Sequence, residues 1–377
     1  MANVILNFPC PTKAGPPFWE EYPAVLIYGA GNVGKDVFRV LTERGIPVIG
    51  FIDRKAQTED LWNSVPIFQQ DDGRISLEDR KKAGVIIAIH NRDVEIPPIV
   101  ERLRALNYGR VITLIELYDW VGKELGDRFW LTARSYYTSV EPFISATYEL
   151  WEDEASKELY EAIIKFRLTG DYTVLPAPDN EHIYIPPDLP AWKTPLRFVD
   201  CGAFDGDTLV KLINAEIPIE SVAAFEPDET NFSKLANFVR SNKTLKDVAL
   251  WPCGVFSATR QLRFNAGKGE ASMLSSEGDV VVQCVSLDEA IPNFAPTLIK
   301  MDIEGAEYDA LLGARQTIAR YKPGLAISLY HRPEHIWQIP MLLERLCGTG
   351  GGYRFYLRLH AFSGFELILY ANVTNKL

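Results

Sequence analysis

The chain has 377 residues, enough for two or three domains of roughly 100–200 residues each. Apolar residues make up 47% and charged residues 24%, a composition that excludes extended disorder. The net charge of −11 repels a phosphate backbone and excludes broad nucleic-acid binding.

The cysteines are Cys10, Cys201, Cys253, Cys284 and Cys347, with no C-x-x-C pair. That spacing argues against a disulfide scaffold and against structural zinc, and no metal is expected. No apolar run is long enough to span a bilayer, and no charged-then-apolar leader opens the chain, so a cytoplasmic location is expected.

The first segment, about 22–118, alternates β-branched runs with helical stretches. Val25–Tyr28, Val48–Phe51, Val85–His90 and Arg110–Leu114 read as strands. Lys35–Arg44 and Ile99–Leu106 read as helical. Such alternation means parallel strands with crossover helices. Between the first strand and helix lies Gly29-Ala30-Gly31-Asn32-Val33-Gly34, and Asp53 ends the next strand. A G-x-G-x-x-G in that context presents backbone amides and a helix N-terminus to phosphate. Three readings stay open for it: binding of a nucleotide or nucleotide-sugar, a purely structural Rossmann-like module, or NAD redox chemistry. Only about one hundred residues precede the next change of texture, too few for two nucleotide-binding halves and a catalytic domain.

The middle segment, 119–194, differs. Trp151, Ala155, Leu159, Ile163 and Phe166 recur at helical spacing up to the stop signal Gly170. Pro176, Pro178, Pro186, Pro187, Pro190 and Pro195 then forbid regular helix and central strand. The stretch reads as a linker or wrapping arm, with a lid or wall of an acceptor site as a further possibility.

The third segment, 195–377, alternates again. Strands are expected at Arg197–Val199, Val222–Phe225, Val248–Leu250, Leu298–Met301 and Leu325–Tyr330. Helices are expected at Thr208–Ala215, Thr230–Arg240, Tyr308–Arg320 and Ile339–Leu346. Tyr353–His360 and Phe365–Ala371, joined through Ser363-Gly364, read as a hairpin. A parallel sheet finished by an antiparallel hairpin resembles the seven-stranded methyltransferase fold.

The first strand of this segment runs into Asp200-Cys201-Gly202-Ala203-Phe204-Asp205-Gly206-Asp207. Its glycines allow close backbone approach, but its carboxylates would repel a pyrophosphate. S-adenosylmethionine carries no phosphate and is cationic at its methionine end, so the loop suits it better than NAD. Glu226-Pro227 ends the second strand, about 20 residues after Gly206, where a carboxylate accepts ribose hydroxyls. Cys253, after the third strand, falls where adenine would lie. Asp302 and Glu304 follow the fourth strand, and His331 the fifth. A histidine there can take a hydroxyl proton near neutral pH. His360 and Arg358 come from the hairpin, and His335 is expected at the surface.

The runs Phe198-Val199-Asp200-Cys201-Gly202-Ala203, Phe225-Glu226-Pro227, Val285-Ser286-Leu287-Asp288-Glu289-Ala290 and Lys300-Met301-Asp302-Ile303-Glu304-Gly305-Ala306-Glu307 resemble the FkbM family of S-adenosylmethionine-dependent methyltransferases. That resemblance implies an O-methyltransferase acting on a hydroxyl of a sugar, a nucleotide-sugar or a related metabolite. The first segment, from Ile27 through Lys35 to Asp53, resembles the nucleotide-sugar-binding domain of bacterial sugar acyltransferases. The expected architecture is α/β with two doubly wound domains, the second a seven-stranded class I methyltransferase sheet. The expected catalytic residues are His331, Asp302, Glu304 and His360. The expected cofactor contacts are Asp200, Gly202, Ala203, Asp205, Gly206, Glu226, Pro227, Cys253 and Asp302. A second nucleotide site would use Gly29, Gly31, Asn32, Gly34 and Asp53. The expected partners are a small-molecule or glycan hydroxyl acceptor, a nucleotide-sugar at the N-terminal domain and a second copy of the chain. The rival functions are an NAD(P)-dependent oxidoreductase and a non-catalytic nucleotide-binding protein.

Overall fold

The computed structural model describes residues 15–57, 60–264, 280–347 and 352–373. Cys10 lies outside these residues. The chain divides into two units, each discontinuous in sequence. The first comprises Met1–Ser145, Leu159–Pro178 and Ala361–Phe365. The second comprises Ala146–Glu158, Asp179–His360 and Glu366–Leu377.

The first unit holds β1 (Ala24–Tyr28), β2 (Val48–Ile52), β3 (Leu61–Trp62), β4 (Val65–Phe68), β5 (Ala83–Ile87) and β6 (Arg110–Thr113). They form one sheet in the order β3-β4-β2-β1-β5-β6, parallel except for the β3–β4 hairpin. The central strands β1 and β5 are covered on both faces, so they read as unbroken apolar runs. Val25, Leu26, Ile27, Val85 and Ile86 are fully buried. Helices α1 (Asn32–Glu43), α2 (Leu77–Lys82), α3 (Pro97–Ala105) and α4 (Leu114–Leu125) belong to this unit. Thr113 and Glu116 close a reciprocal capping box that starts α4. The Thr113-x-x-Glu116 spacing is a sequence signal for this helix that the strand expected over Arg110–Leu114 passes over; the β3–β4 hairpin is not among the expected elements either.

Beyond α5 (Ser135–Ser139), α6 (Glu141–Tyr148) and α7 (Glu154–Thr169), the second unit builds its main sheet from β7 (Leu196–Cys201), β8 (Ile219–Phe225) and β9 (Val248–Trp251). After β10 (Gly254–Val255), β11 (Arg260–Phe264) and β12 (Val280–Val285), which form a small separate sheet, come β13 (Leu298–Met301), β14 (Gly324–Ser328), β15 (Tyr353–Leu359) and β16 (Leu367–Val373). The main sheet is seven-stranded, in the order β15-β16-β14-β13-β7-β8-β9. β16 runs antiparallel to both neighbours, as the hairpin predicts. Helices α8 (Asp207–Asn214), α9 (Glu229–Ser241), α10 (Leu287–Ala290), α11 (Glu307–Leu312), α12 (Arg315–Tyr321) and α13 (His335–Cys347) complete it.

The single helix expected over Tyr308–Arg320 is two helices. A side chain at Gly313 would place its Cβ 2.1 Å from the carbonyl oxygen of Phe256, so the turn there is wedged against backbone. The edge strand β15 is also guarded. Trp151 forms a bridge with Phe355, and the Glu152 amide donates to the Phe355 carbonyl at 2.9 Å. The Leu357 amide donates to Ser156 Oγ at 2.8 Å. No helix among the described residues is long and apolar enough to cross a membrane.

The glycines of the first loop differ in kind. A Cβ at Gly34 would lie 1.9 Å from the Gly29 carbonyl oxygen, whereas one at Gly31, where φ is −76°, would meet nothing within 4 Å. Gly34→Ala should therefore cost about 1–3 kcal/mol through overpacking. Gly31→Ala should leave stability unchanged. Differential scanning calorimetry of both variants distinguishes them, and equal melting would contradict the assignment.

Candidate active site

Sheets of this kind place ligands outside the carboxyl ends of their strands. In the second unit those ends bring together the loops after β7, β8, β13 and β14. Their fastening starts below the surface. Lys300 on β13 is the register partner of Asp200 on β7. Its Nζ lies 3.1 Å from Asp200 Oδ1 and donates to the Gly202 carbonyl at 2.6 Å. Burial pushes the Asp200 carboxyl up to about 6, with Lys300 opposing the rise. Lys300 is desolvated too, yet the carboxylates of Asp200, Asp302 and Asp207 hold its ammonium above the ordinary value.

Asp200, expected to meet a cofactor, is fully buried and engaged with Lys300, so its carboxylate braces the loop from below. The adjacent loop is tightly built. Gly202 has φ +80° and a Cβ there would sit 2.0 Å from the Asp302 carbonyl oxygen, so only glycine lets the two strand ends meet. Its amide and that of Ala203 both donate to the Phe225 carbonyl. Asp205 is half-buried, Gly206 buried and Asp207 exposed at the start of α8.

Glu226 follows β8 and is 6% exposed. Its Oε2 accepts the Phe204 amide at 2.8 Å, and its Oε1 accepts the Asp228 amide at 2.9 Å. Burial pushes its carboxyl up to about 7 against those two amides. A carboxylate oxygen accepts more than one hydrogen bond, so each keeps capacity for a hydroxyl donor. Pro227 is half-buried beside it. At the end of β9, the Trp251 ring stacks on Phe225 with centroids 5.7 Å apart. Cys253 is buried, and burial pushes its thiol up to about 11. It is a neutral packing group.

After β13, Asp302 is ringed by donors. Tyr184 hydroxyl donates to Oδ2 at 3.2 Å, while Ser328 and Tyr330 hydroxyls donate to Oδ1 at 2.9 and 3.1 Å. Burial opposes its charge, but His331 and Lys300 keep the carboxyl below its ordinary value. Tyr184, Ser328 and Tyr330 were not singled out from the sequence. Ser328 and Tyr330 follow from the strand alone; Tyr184 lies over a hundred residues away and carries no motif.

His331 sits among three carboxylates. Its Nδ1 bonds Glu307 Oε1 at 2.7 Å. Its Nε2 lies 3.4 Å from Asp302 Oδ1 and 3.6 Å from Glu304 Oε2. Burial disfavours the imidazolium, but Glu307, Glu304 and Asp302 outweigh it and push its pKa up to about 10. The carboxylates favour the protonated ring, which opposes the general-base role expected of His331. Glu307 is fully buried and also accepts the Ile303 amide. His335, expected at the surface, is corrected: it is 1% exposed and lies 3.3 Å from Glu307 Oε2. Asp302, Glu307 and His331 each offer a ligand atom within 4.8 Å of the others, a spacing open to a cation. Glu307 spends much of that capacity on the two imidazoles.

His360, expected among the catalytic residues, is held inside the second unit. Its Nδ1 contacts the Asp179 carbonyl at 2.6 Å and its Nε2 the Tyr370 hydroxyl at 2.8 Å, so both ring nitrogens are engaged. Burial lowers its pKa and keeps it neutral. Arg358 is likewise engaged, pairing with Asp153 and Asp188 at 2.7 Å each.

In the first unit, Gly29, Gly31, Asn32 and Gly34 surround the start of α1. Asp53 Oδ2 accepts the Ala30 amide at 3.0 Å, and Oδ1 accepts the Lys55 amide at 2.8 Å. Glu226 braces its own loop in the same way.

Comparison with known proteins decides the class of the second unit. Residues 200–361 match the model of the methyltransferase FkbM domain. The chain carries a methyltransferase domain. Residues 24–94 match the PglD N-terminal domain. Both resemblances drawn from the motifs therefore hold. The crystal structure of Methyltransferase FkbM from Methylobacillus flagellatus KT aligns with a TM-score of 0.74 and 23% identity. The alignment covers 94% of this chain and 92% of that one, and it shows a shared fold. An rRNA methylase from Streptococcus thermophilus aligns at a TM-score of only 0.30 and 14% identity, over 47% of this chain and 86% of that one. No curated protein matches the chain.

The buried pair under the FkbM domain yields a stability test. Lys300→Met would leave the buried Asp200 carboxyl without its partner and should cost about 3–5 kcal/mol. Adding Asp200→Asn should recover much of that loss. Urea unfolding of the single and double variants measures it; additive losses would deny the coupling.

Proposed function

We propose that the FkbM domain transfers the methyl group of S-adenosylmethionine to a hydroxyl of a sugar, nucleotide-sugar or related metabolite. The observation that carries the reading is Glu226. Its carboxylate is held at the end of β8 by two amides and lies beside an acidic loop instead of a phosphate-binding one. The donor set fits the group: Glu226 would accept the ribose hydroxyls, and Trp251 and Cys253 would border the base. Asp205 and Asp207 would favour the cationic methionine end.

When bound, S-adenosylmethionine supplies an electrophilic methyl, and the electron pair of the broken carbon–sulfur bond stays on sulfur. The residues supply alignment, worth roughly 7–11 kcal/mol in well-oriented systems. Glu304, the more open carboxylate near His331, takes the acceptor proton. His331 keeps its own proton and steadies Glu304 and Asp302 as anions. Asp302 is held by three hydroxyls and fixes the geometry of the β13 end.

For the first unit we propose binding of a nucleotide or nucleotide-sugar. The space beside Gly31 is open, and the amides at the start of α1 suit a phosphate. An NAD(P)-dependent reaction there is the rival. Thermal shift with UDP-sugars, NAD and S-adenosylmethionine separates these readings. Transfer of tritiated methyl to a panel of hydroxylated acceptors tests the activity.

Because Glu226 must be ionised to accept the diol, affinity should fall as pH drops through about 7. Calorimetry should show S-adenosylmethionine binding about tenfold weaker at pH 6 than at pH 8. Glu226→Gln should bind about 10–100-fold more weakly, with no such pH dependence. Unchanged affinity in this variant would sink the reading.

A further inference from the structure

We propose that the proline-rich arm Asp179–Thr194 is a wall of the reaction site and that Tyr184 is its positioning residue, holding Asp302 through the phenol hydroxyl. The proposal rests on the methyl-transfer reading of this site. A linker leaves its side chains in water, but Ile183, Tyr184 and Trp192 are buried in the core of the second unit.

Tyr184 adopts φ +70°, a left-handed conformation that bulky side chains avoid. Surrounding contacts must impose it. Its amide donates to the Tyr370 hydroxyl at 2.9 Å, and the Trp192 indole donates to its carbonyl at 2.7 Å. The Tyr370 oxygen, accepting that amide, gives its own proton to His360 Nε2 at 2.8 Å. His360 must then carry its proton on Nδ1, where the Asp179 carbonyl accepts it at 2.6 Å. One tautomer satisfies every bond. The chain Asp179–His360–Tyr370–Tyr184 clamps the arm at two points five residues apart.

The clamp delivers the phenol to Asp302 Oδ2 at 3.2 Å, from outside the sheet. Ser328 and Tyr330, on the β14 side, serve Oδ1 instead. The Tyr184 ring also lies 5.6 Å from the Lys300 ammonium and 5.9 Å from that of Lys211. The arm thus supplies the Asp302 carboxylate with a donor that neither β13 nor β14 provides.

The test compares the full-length wild type with Tyr184→Phe and Tyr370→Phe, using S-adenosylhomocysteine for binding and the best acceptor of the tritium panel for turnover. Tyr184→Phe keeps the ring and should melt like the wild type. Its S-adenosylhomocysteine affinity should stay within about threefold, while kcat falls about tenfold and KM changes little. The titratable and charged groups facing Asp302 are Tyr184 of the arm, Asp200 of β7, Lys300 of β13, Tyr330 and His331 after β14, and Glu304 and Glu307 of the β13 loop and α11, with Ser328 of β14 as a neutral donor. Loss of one donor to the carboxylate should move the acid limb of the kcat profile to higher pH. Tyr370→Phe leaves the phenol in place but loosens the clamp, and should lower both melting temperature and kcat. Unchanged kcat and pH profile in Tyr184→Phe would overturn the proposal. So would a loss of activity that merely tracks a loss of folded protein. A wild type that binds S-adenosylhomocysteine yet methylates no acceptor would remove the methyl-transfer reading itself, and the proposal with it.

Discussion

The Lys300 ammonium is the point from which the second unit's chemistry hangs. One cation, buried between adjacent strands, neutralises Asp200, ties down the Gly202 carbonyl and lies over the Tyr184 ring. The Gly202 loop leaves the sheet at β7 and the Asp302–Glu304 loop at β13, and Lys300 joins them one residue before each turns away. Desolvating an ion pair this completely has a large cost unless every partner is in place. The loops therefore have little freedom to part. The bare Cα of Gly202 against the Asp302 carbonyl completes the junction, because a methyl group would force the strand ends apart.

A second theme is the bracing carboxylate. In both units the acid after the second parallel strand receives an amide from the loop after the first: Asp53 from Ala30 and Glu226 from Phe204. The architecture is shared, so the difference between the two strand-end sites lies in the loops. One loop is nearly free of acids and opens toward a helix N-terminus. The other carries Asp205 and Asp207. On the proposed readings, charge on a few loop residues, more than fold, would separate a phosphate site in the first unit from a sulfonium-cofactor site in the second.

Much of this was legible from sequence because it is local. Strand runs such as Leu298–Met301 and the glycine loops announce themselves by composition and spacing. The FkbM motif also placed Asp302 and Glu304 at a strand end. What was illegible depends on partners distant in the chain. The sequence did not show that Lys300 pairs with Asp200. Nor did it show that Tyr370 and the Asp179 carbonyl engage both nitrogens of His360. His331 looked like a base because its type titrates near neutrality, but three carboxylates fix its proton. The break at Gly313 came from the backbone of Phe256, which no helical periodicity can reveal.

The segment Ala146–Glu158 precedes the FkbM match by some forty residues, yet it belongs to the second unit and supplies Trp151, Glu152 and Ser156 to the rim of β15. A sheet border left with unanswered amides and carbonyls is a template for pairing with other chains. Anyone excising the methyltransferase at the boundary its motifs suggest would strip that cover and leave Arg358 without Asp153. A piece that keeps the β15 border paired must keep this upstream strip, so the practical borders of the methyltransferase module are set by hydrogen-bond closure and not by homology.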